Sequence, residues 1–184
     1  YLEVESQNLD EVILSVARSE SNANEIAEKV SVIKAEDLYL TAPSSGAEML
    51  ELSPGIRIQK SQGGGGSPVI RGFEANRVLI VVDGVRMNNA IYRSGHLQNS
   101  ITIDPNNIDR VEIIYGSSSV GYGSDALGGV VHYYTKNPTI KDSVKIKSSF
   151  SSNYNTANTS ISNSFSTNYS EETWGMFSTI SISK

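Results

Sequence analysis

His96 and His132 are the only imidazoles in the chain, and it has no cysteine. Thiolate metal sites, disulfides and a cysteine nucleophile are therefore excluded. Neither histidine stands in a metal-ligand spacing such as H-E-x-x-H, and no serine sits in G-x-S-x-G. The paired acids Asp10-Glu11 and Glu171-Glu172 have no neighbours that would raise a carboxyl pKa, so they read as solvated charge. Two glycine-rich stretches invite a phosphate reading. The run SQGGGGSPVIRG at 61–72 lacks the Gly-Lys-Ser/Thr ending that reaches phosphate and magnesium. The stretch from Gly121 to Ala126 fits G-x-G-x-x-A in letters only, because Leu127 to Tyr134 continues as a strand and opens no helix. GGGGS is also the unit of flexible linkers, so Gly63–Gly66 stays open at this point. No enzyme constellation remains.

The elements that would position any other chemistry are of two kinds. Across 184 residues, hydrophobic content is 38% and charged content 19%, which fits neither a disordered chain nor a helical membrane bundle. The net charge of −5 argues against a nucleic-acid partner. No run of 18 apolar residues exists. Position 1 is Tyr and no signal peptide is visible, which suggests a processed product or a fragment. Up to about residue 140 the pattern is mixed α/β. Ala23–Glu28 predicts a helical turn, Val30–Ile33 a strand, Glu36–Leu40 and Ser44–Leu52 short helices, and Ile56–Gln59 a strand. Arg77–Val82 is an apolar strand with Asp83-Gly84 as its turn, and Arg110–Tyr115 and Val130–Thr135 are further strands. Long loops are expected over 60–68 and 88–102.

After residue 140 the chain is rich in Ser, Thr and Asn, and its apolar residues alternate. Val144, Ile146, Phe150 and Tyr154 share one parity; Ile161, Phe165 and Tyr169 repeat it, followed by Trp174, Met176, Ile180 and Ile182. Period two means strands with one apolar and one polar face. Three strands of a soluble sheet would fit. So would the start of a transmembrane β-barrel, with the apolar face toward lipid.

Four ordered pieces carry a resemblance: VIRGF (69–73), NRVLIVVDGVRMN (76–88), IDRVEIIYGSSSVGYGSDALGG (108–129) and VVHYYTKNP (130–138). Together they resemble the plug domain of the TonB-dependent outer-membrane receptors over roughly residues 9–138. The fold this implies is an α+β plug with a small mixed sheet and short helices. The first antiparallel strands of a transmembrane barrel of about 22 strands follow it. The implied division is an N-terminal segment over 1–18, the plug over 19–140 and three barrel strands over 141–184. In that family an irregular loop precedes the Ile-Arg-Gly element, so Gly63–Gly66 is expected to be a native, mobile loop. Tyr115-Gly116-Ser117 departs from the family's usual Arg-Gly-Pro.

The resemblance implies roles residue by residue. Asp10, Glu11, Val12, Ile13, Leu14, Ser15 and Val16 resemble the TonB box, an extended segment that a partner sheet captures by strand addition; the alternative is a plain edge strand. Arg71, Arg110 and Glu112 match family positions and are expected to meet charged partners on the barrel wall. The segment Met87–Asn99 resembles plug loops of the haem and haemoprotein branch. It makes Tyr92, Arg93 and His96 the expected ligand-binding residues, with His96 Nε2 or Nδ1 on haem iron and Arg93 on a propionate. No intrinsic cofactor is expected, haem being transported cargo. The expected partners are TonB, an extracellular iron or haem ligand, and outer-membrane lipid. The expected place is the outer membrane of a Gram-negative bacterium, plug inside barrel, N-terminus in the periplasm. A ferric-siderophore receptor and a soluble α/β binding module with a β appendage are the alternatives.

Overall fold

The computed structural model describes residues 12–13, 21–22, 29–61, 65–74, 77–87, 100, 102–116, 122–123, 126–138, 145–156 and 159–184. A two-residue strand β1 (Val12–Ile13) pairs antiparallel with β2 (Ser21–Asn22). The centre of the domain is a five-stranded sheet made of β3 (Val30–Lys34), β6 (Val78–Val82), β7 (Val85–Arg86), β8 (Ile108–Tyr115) and β9 (Gly129–Thr135). Its order is β3-β8-β9-β6-β7, and only the β6–β9 pair is parallel. A separate hairpin joins β4 (Ile56–Ser61) to β5 (Gly65–Ile70).

Local chemistry sets where the helices start and stop. β3 ends at Lys34, whose N–H donates to the Asp37 carboxylate at 3.2 Å and opens α1 (Ala35–Thr41). That helix closes on Ala42 in the left-handed region, with Pro43 behind it. At α2 (Gly46–Met49) the caps are reciprocal. The Ser45 hydroxyl accepts from Glu48 N–H at 3.4 Å, and the Glu48 carboxylate accepts from Ser44 N–H at 2.9 Å and from its hydroxyl at 2.6 Å. A 3-10 turn, Leu50–Leu52, follows. The predicted helices and strands of 30–59 stand, with ends shifted by a residue or two; Ala23–Glu28 lies outside the described residues.

The sheet has two different faces. On one, Val131 and Tyr133 of β9, Val111 and Ile113 of β8, and Val78 and Ile80 of β6 pack with Ile33, Leu38, Met49 and Leu50 under the helices. The Tyr133 hydroxyl reaches through this core and donates to the Gly46 carbonyl at 2.8 Å. Tyr133→Phe should cost about 1–3 kcal/mol, because the carbonyl loses its buried partner while the ring volume stays. Urea unfolding of the full-length receptor followed at the plug checks it.

One expectation is corrected here. Gly65 and Gly66 are strand residues, paired with Ser61 and Lys60, and do not belong to a mobile loop. A Cβ on Gly66 would stand 2.5 Å from the Ala47 methyl. Glycine is required there because α2 lies against β5 with no room for a side chain. Only 62–64 of the expected loop lies outside the described residues.

The tail forms β10 (Lys145–Asn155), β11 (Ser160–Ser170) and β12 (Gly175–Ser183), an antiparallel sheet without a register slip. Phe150, Phe165 and Ile180 line up across the strands and are 69%, 48% and 63% exposed. Ile146, Tyr154, Ile161, Met176 and Ile182 extend the same exposed face. The Ser149 and Ser166 hydroxyls bond at 2.7 Å on the opposite face. A cavity of about 700 Å³ lies between that polar face (Asn153, Ser162, Ser183) and the domain (Leu38, Thr41, Asn106).

Candidate functional site

The second face of the central sheet is half apolar and half charged. Leu79, Val81, Ile114 and Val130 pack under Tyr122 and Ala126. Further along the same strands lie Arg110, Glu112, His132 and Tyr134, brought together because residues two apart on a strand share a face and because His132 stands opposite Glu112. Glu112 is fully buried, and its carboxylate accepts from Arg110 Nε at 2.8 Å. Arg110 also reaches Asp109 at 3.5 Å and lies 4.0 Å above the Tyr134 ring, which stacks on His132 at 4.1 Å between centroids. Guanidinium, phenol and imidazole thus form three layers. Burial pushes the Tyr134 phenol above its ordinary pKa, and the Glu112 charge adds to the rise.

His132 ties this cluster to the β6–β7 turn. Asp83 and Gly84 both have positive φ, 45° and 83°, the pair a two-residue hairpin of this twist needs. Gly84 N–H donates to His132 Nε2 at 3.0 Å. The Asp83 carboxylate accepts from Thr135 N–H at 2.9 Å and from its hydroxyl at 2.6 Å. Burial lowers the His132 pKa and Arg110 lowers it further, against the opposing pull of Glu112 and Asp83.

Arg71 stands apart from this cluster. It has φ 50° and lies 5.3 Å from the centroid of the Tyr115 ring, at the far end of β8 from Arg110. Lys29 lies 5.6 Å from the same ring. The Tyr115 hydroxyl is 2.7 Å from that of Ser53 and donates to the Pro54 carbonyl at 3.0 Å. The named contacts of Arg71, Arg110 and Glu112 all fall inside the domain and none reaches β10–β12. Among the described residues, Glu112 finds its cation inside the plug, in Arg110. The reason is physical: a fully buried carboxylate needs its cation at hand, and Arg110 is two residues away on the same face.

Val12 and Ile13 lie in β1. Asp10, Glu11, Leu14, Ser15 and Val16 fall outside the described residues, as do Tyr92, Arg93 and His96. His132 is the functional-looking residue that sequence reasoning passed over. The signal was its place between Val130 and Tyr134 in a period-two run. Among the described residues, no group of three His, Asp or Glu side chains is placed to hold a metal ion.

Comparison with known proteins adds what geometry alone does not. A family model described as TonB-dependent Receptor Plug Domain matches residues 22–130. The vitamin B12 transporter BtuB of Vibrio vulnificus (strain CMCP6) is 38% identical over 133 residues, which is 71% of this chain and 21% of that protein. The hemin receptor of Yersinia enterocolitica is 35% identical over 127 residues, 68% of this chain and 18% of that protein. Among solved structures, the ferric enterobactin receptor PfeA of Pseudomonas aeruginosa in complex with enterobactin superimposes with a TM-score of 0.68 at 25% identity, over 86% of this chain and 25% of that one. The copper transporter OprC shares the fold, with a TM-score of 0.68 at 19% identity over 85% of this chain and 24% of that one. The chain spans about a fifth of the length of the curated relatives it matches.

Proposed function

The chain belongs to the TonB-dependent receptor plug family, and we infer that it is the plug and first barrel strands of a receptor importing a metal-bearing tetrapyrrole, haem first. Its place is the Gram-negative outer membrane, with the plug inside the barrel. The relatives named are transporters and receptors, not enzymes, and the plug gates the lumen without making or breaking bonds.

The observation that carries the receptor reading is the two-faced sheet after the plug. Its strands of 11, 11 and 9 residues match the length that crosses a hydrocarbon layer when tilted. One face is apolar and exposed, and the other is hydroxyl-rich and turned to the plug. A water-soluble appendage would have no use for that outer face. Three strands leave open edges that lipid does not tolerate, so the wall is completed by further strands.

The ligand reading rests on two supports. Hemin and vitamin B12, named for the two relatives, are both metals held in large tetrapyrrole rings. Residues 88–99, which β7 runs into, carry an imidazole, a phenol and a guanidinium within five positions: Tyr92, Arg93 and His96. These side chains suit an axial bond and a propionate. Enterobactin in the PfeA complex keeps a ferric siderophore as the second reading. TonB, as the captor of residues 10–16, completes the proposal.

Haem titrated into the full-length receptor in detergent should shift the Soret band, and His96→Ala should weaken binding about tenfold or more and change the band. An unchanged spectrum and affinity would remove His96 from the site. Tight ferric-siderophore binding with no haem binding would replace the tetrapyrrole reading.

A further inference from the structure

We propose that His132 is an acid-operated latch on the Asp83-Gly84 turn: neutral imidazole holds the turn through Nε2, and a proton on Nε2 lets it go. The proposal stands on the fold alone and does not depend on which ligand the receptor carries.

A ring nitrogen that accepts a hydrogen bond has no proton of its own. Because Nε2 accepts from Gly84 N–H at 3.0 Å, the neutral ring carries its proton on Nδ1. Nδ1 is buried without a hydrogen-bond partner, and the residue is 7% exposed. Neutral His132 therefore makes one good bond and leaves one donor unused. Protonation removes the acceptor and sets two donors against each other at the turn. The imidazolium also lies opposite Glu112, whose carboxylate is held by Arg110. It would compete with Arg110 for that charge and disturb the guanidinium–phenol–imidazole stack.

The groups facing the ring come from three elements. β8 contributes Glu112 and Arg110, the turn contributes Asp83, and β9 itself contributes Tyr134. Burial and Arg110 favour the neutral ring, and the two acids oppose them. The folded value lies below the ordinary histidine value of about 6.5. The bond is thus complete at neutral pH, and its contribution is lost as pH falls from the ordinary value through the folded one. The turn does not detach altogether, since Asp83 N–H still donates to the Tyr133 carbonyl at 3.0 Å and its carboxylate keeps Thr135. What loosens is the Gly84 side, from which β7 leads into residues 88–99.

The test is hydrogen exchange of the full-length receptor in detergent at about pH 7.5 and about pH 5, scaled for the intrinsic pH dependence of amide exchange. In wild type, protection at Gly84 should fall about fivefold on acidification, while peptides from β8 hold. His132→Gln, whose amide oxygen accepts at either pH, should show no such fall. Constant protection in wild type would overturn the latch. An equal fall in His132→Gln would also overturn it, since an acid would then be the group titrating. Should His132→Gln fail to fold, nitrogen shifts of labelled histidine in wild type decide: a proton on Nδ1 at neutral pH supports the latch, and one on Nε2 sinks it.

Discussion

A receptor carrying Ile13→Pro is expected to hold its ligand at the cell surface with wild-type affinity and to import none of it. Strand addition depends on main-chain N–H and C=O groups, and proline supplies no N–H and fixes φ near −65°. Ile13 is the middle of the segment proposed for capture, and it pairs with Ser21 in a ladder only two residues long. That ladder is marginal by itself, so the segment is available to a better partner. Ser21→Pro separates the two explanations. It breaks the same internal ladder from the other strand and should leave uptake near wild type. Normal uptake with Ile13→Pro would remove residues 10–16 from the coupling role. Loss of uptake in both variants would assign the role to the internal ladder.

Gly129→Ala should be strongly destabilising, because it combines positive φ with a backbone clash. Gly129 begins β9 with φ 149°, between Tyr115 of β8 and Val78 of β6. A Cβ there would stand 2.6 Å from the Ile114 carbonyl oxygen and 3.3 Å from Ile70 Cδ1. The first of these is backbone of a paired central strand and cannot swing away. Left-handed strain and overpacking together should cost on the order of 3–5 kcal/mol. Gly72→Ala is the control: φ is 84°, but nothing lies within 4 Å of the added carbon, so only strain of about 1 kcal/mol applies. Thermal unfolding of both full-length variants checks the contrast. Equal losses would mean that the carbonyl contact carries no cost.

What was legible in the sequence was what local spacing dictates. Phe150, Phe165 and Ile180 announce a two-faced sheet by parity alone, and Asp83-Gly84 announces a two-residue hairpin by its turn chemistry. The pairing of Val30–Lys34 with residues some 80 positions later leaves no local trace, nor does the parallel ladder between β6 and β9. Gly65 and Gly66 were misread for a related reason. A glycine run signals freedom in composition, whereas the need for glycine at 66 comes from an Ala47 methyl that sequence proximity does not reveal. Arg110 and Glu112 are the converse case: their spacing of two puts both on one face in plain view, and the ion pair between them follows from it. His132 pairs with a backbone amide 48 residues away, and no side-chain pattern encodes that.

The strand order has a mechanical consequence. If the plug is anchored at Thr135 and tension is applied at Val30, the load passes through the β3–β8 and β8–β9 ladders, while β6 and β7 lie beyond the anchor and carry none. β3 is an edge strand with five residue pairs to its single neighbour, against seven between β8 and β9. The first pair to take the strain is Val30 with Ile114, and β3 is the weaker link. Peeling it draws Ile33 from the core and α1 after it. Ala35, Leu38 and Thr41 of that helix form part of the wall of the 700 Å³ cavity beside the polar strand face. Yielding at this edge would therefore widen an existing void into a passage along the barrel wall. The remaining four strands, with the Asp83-Gly84 turn among them, would stay assembled behind it.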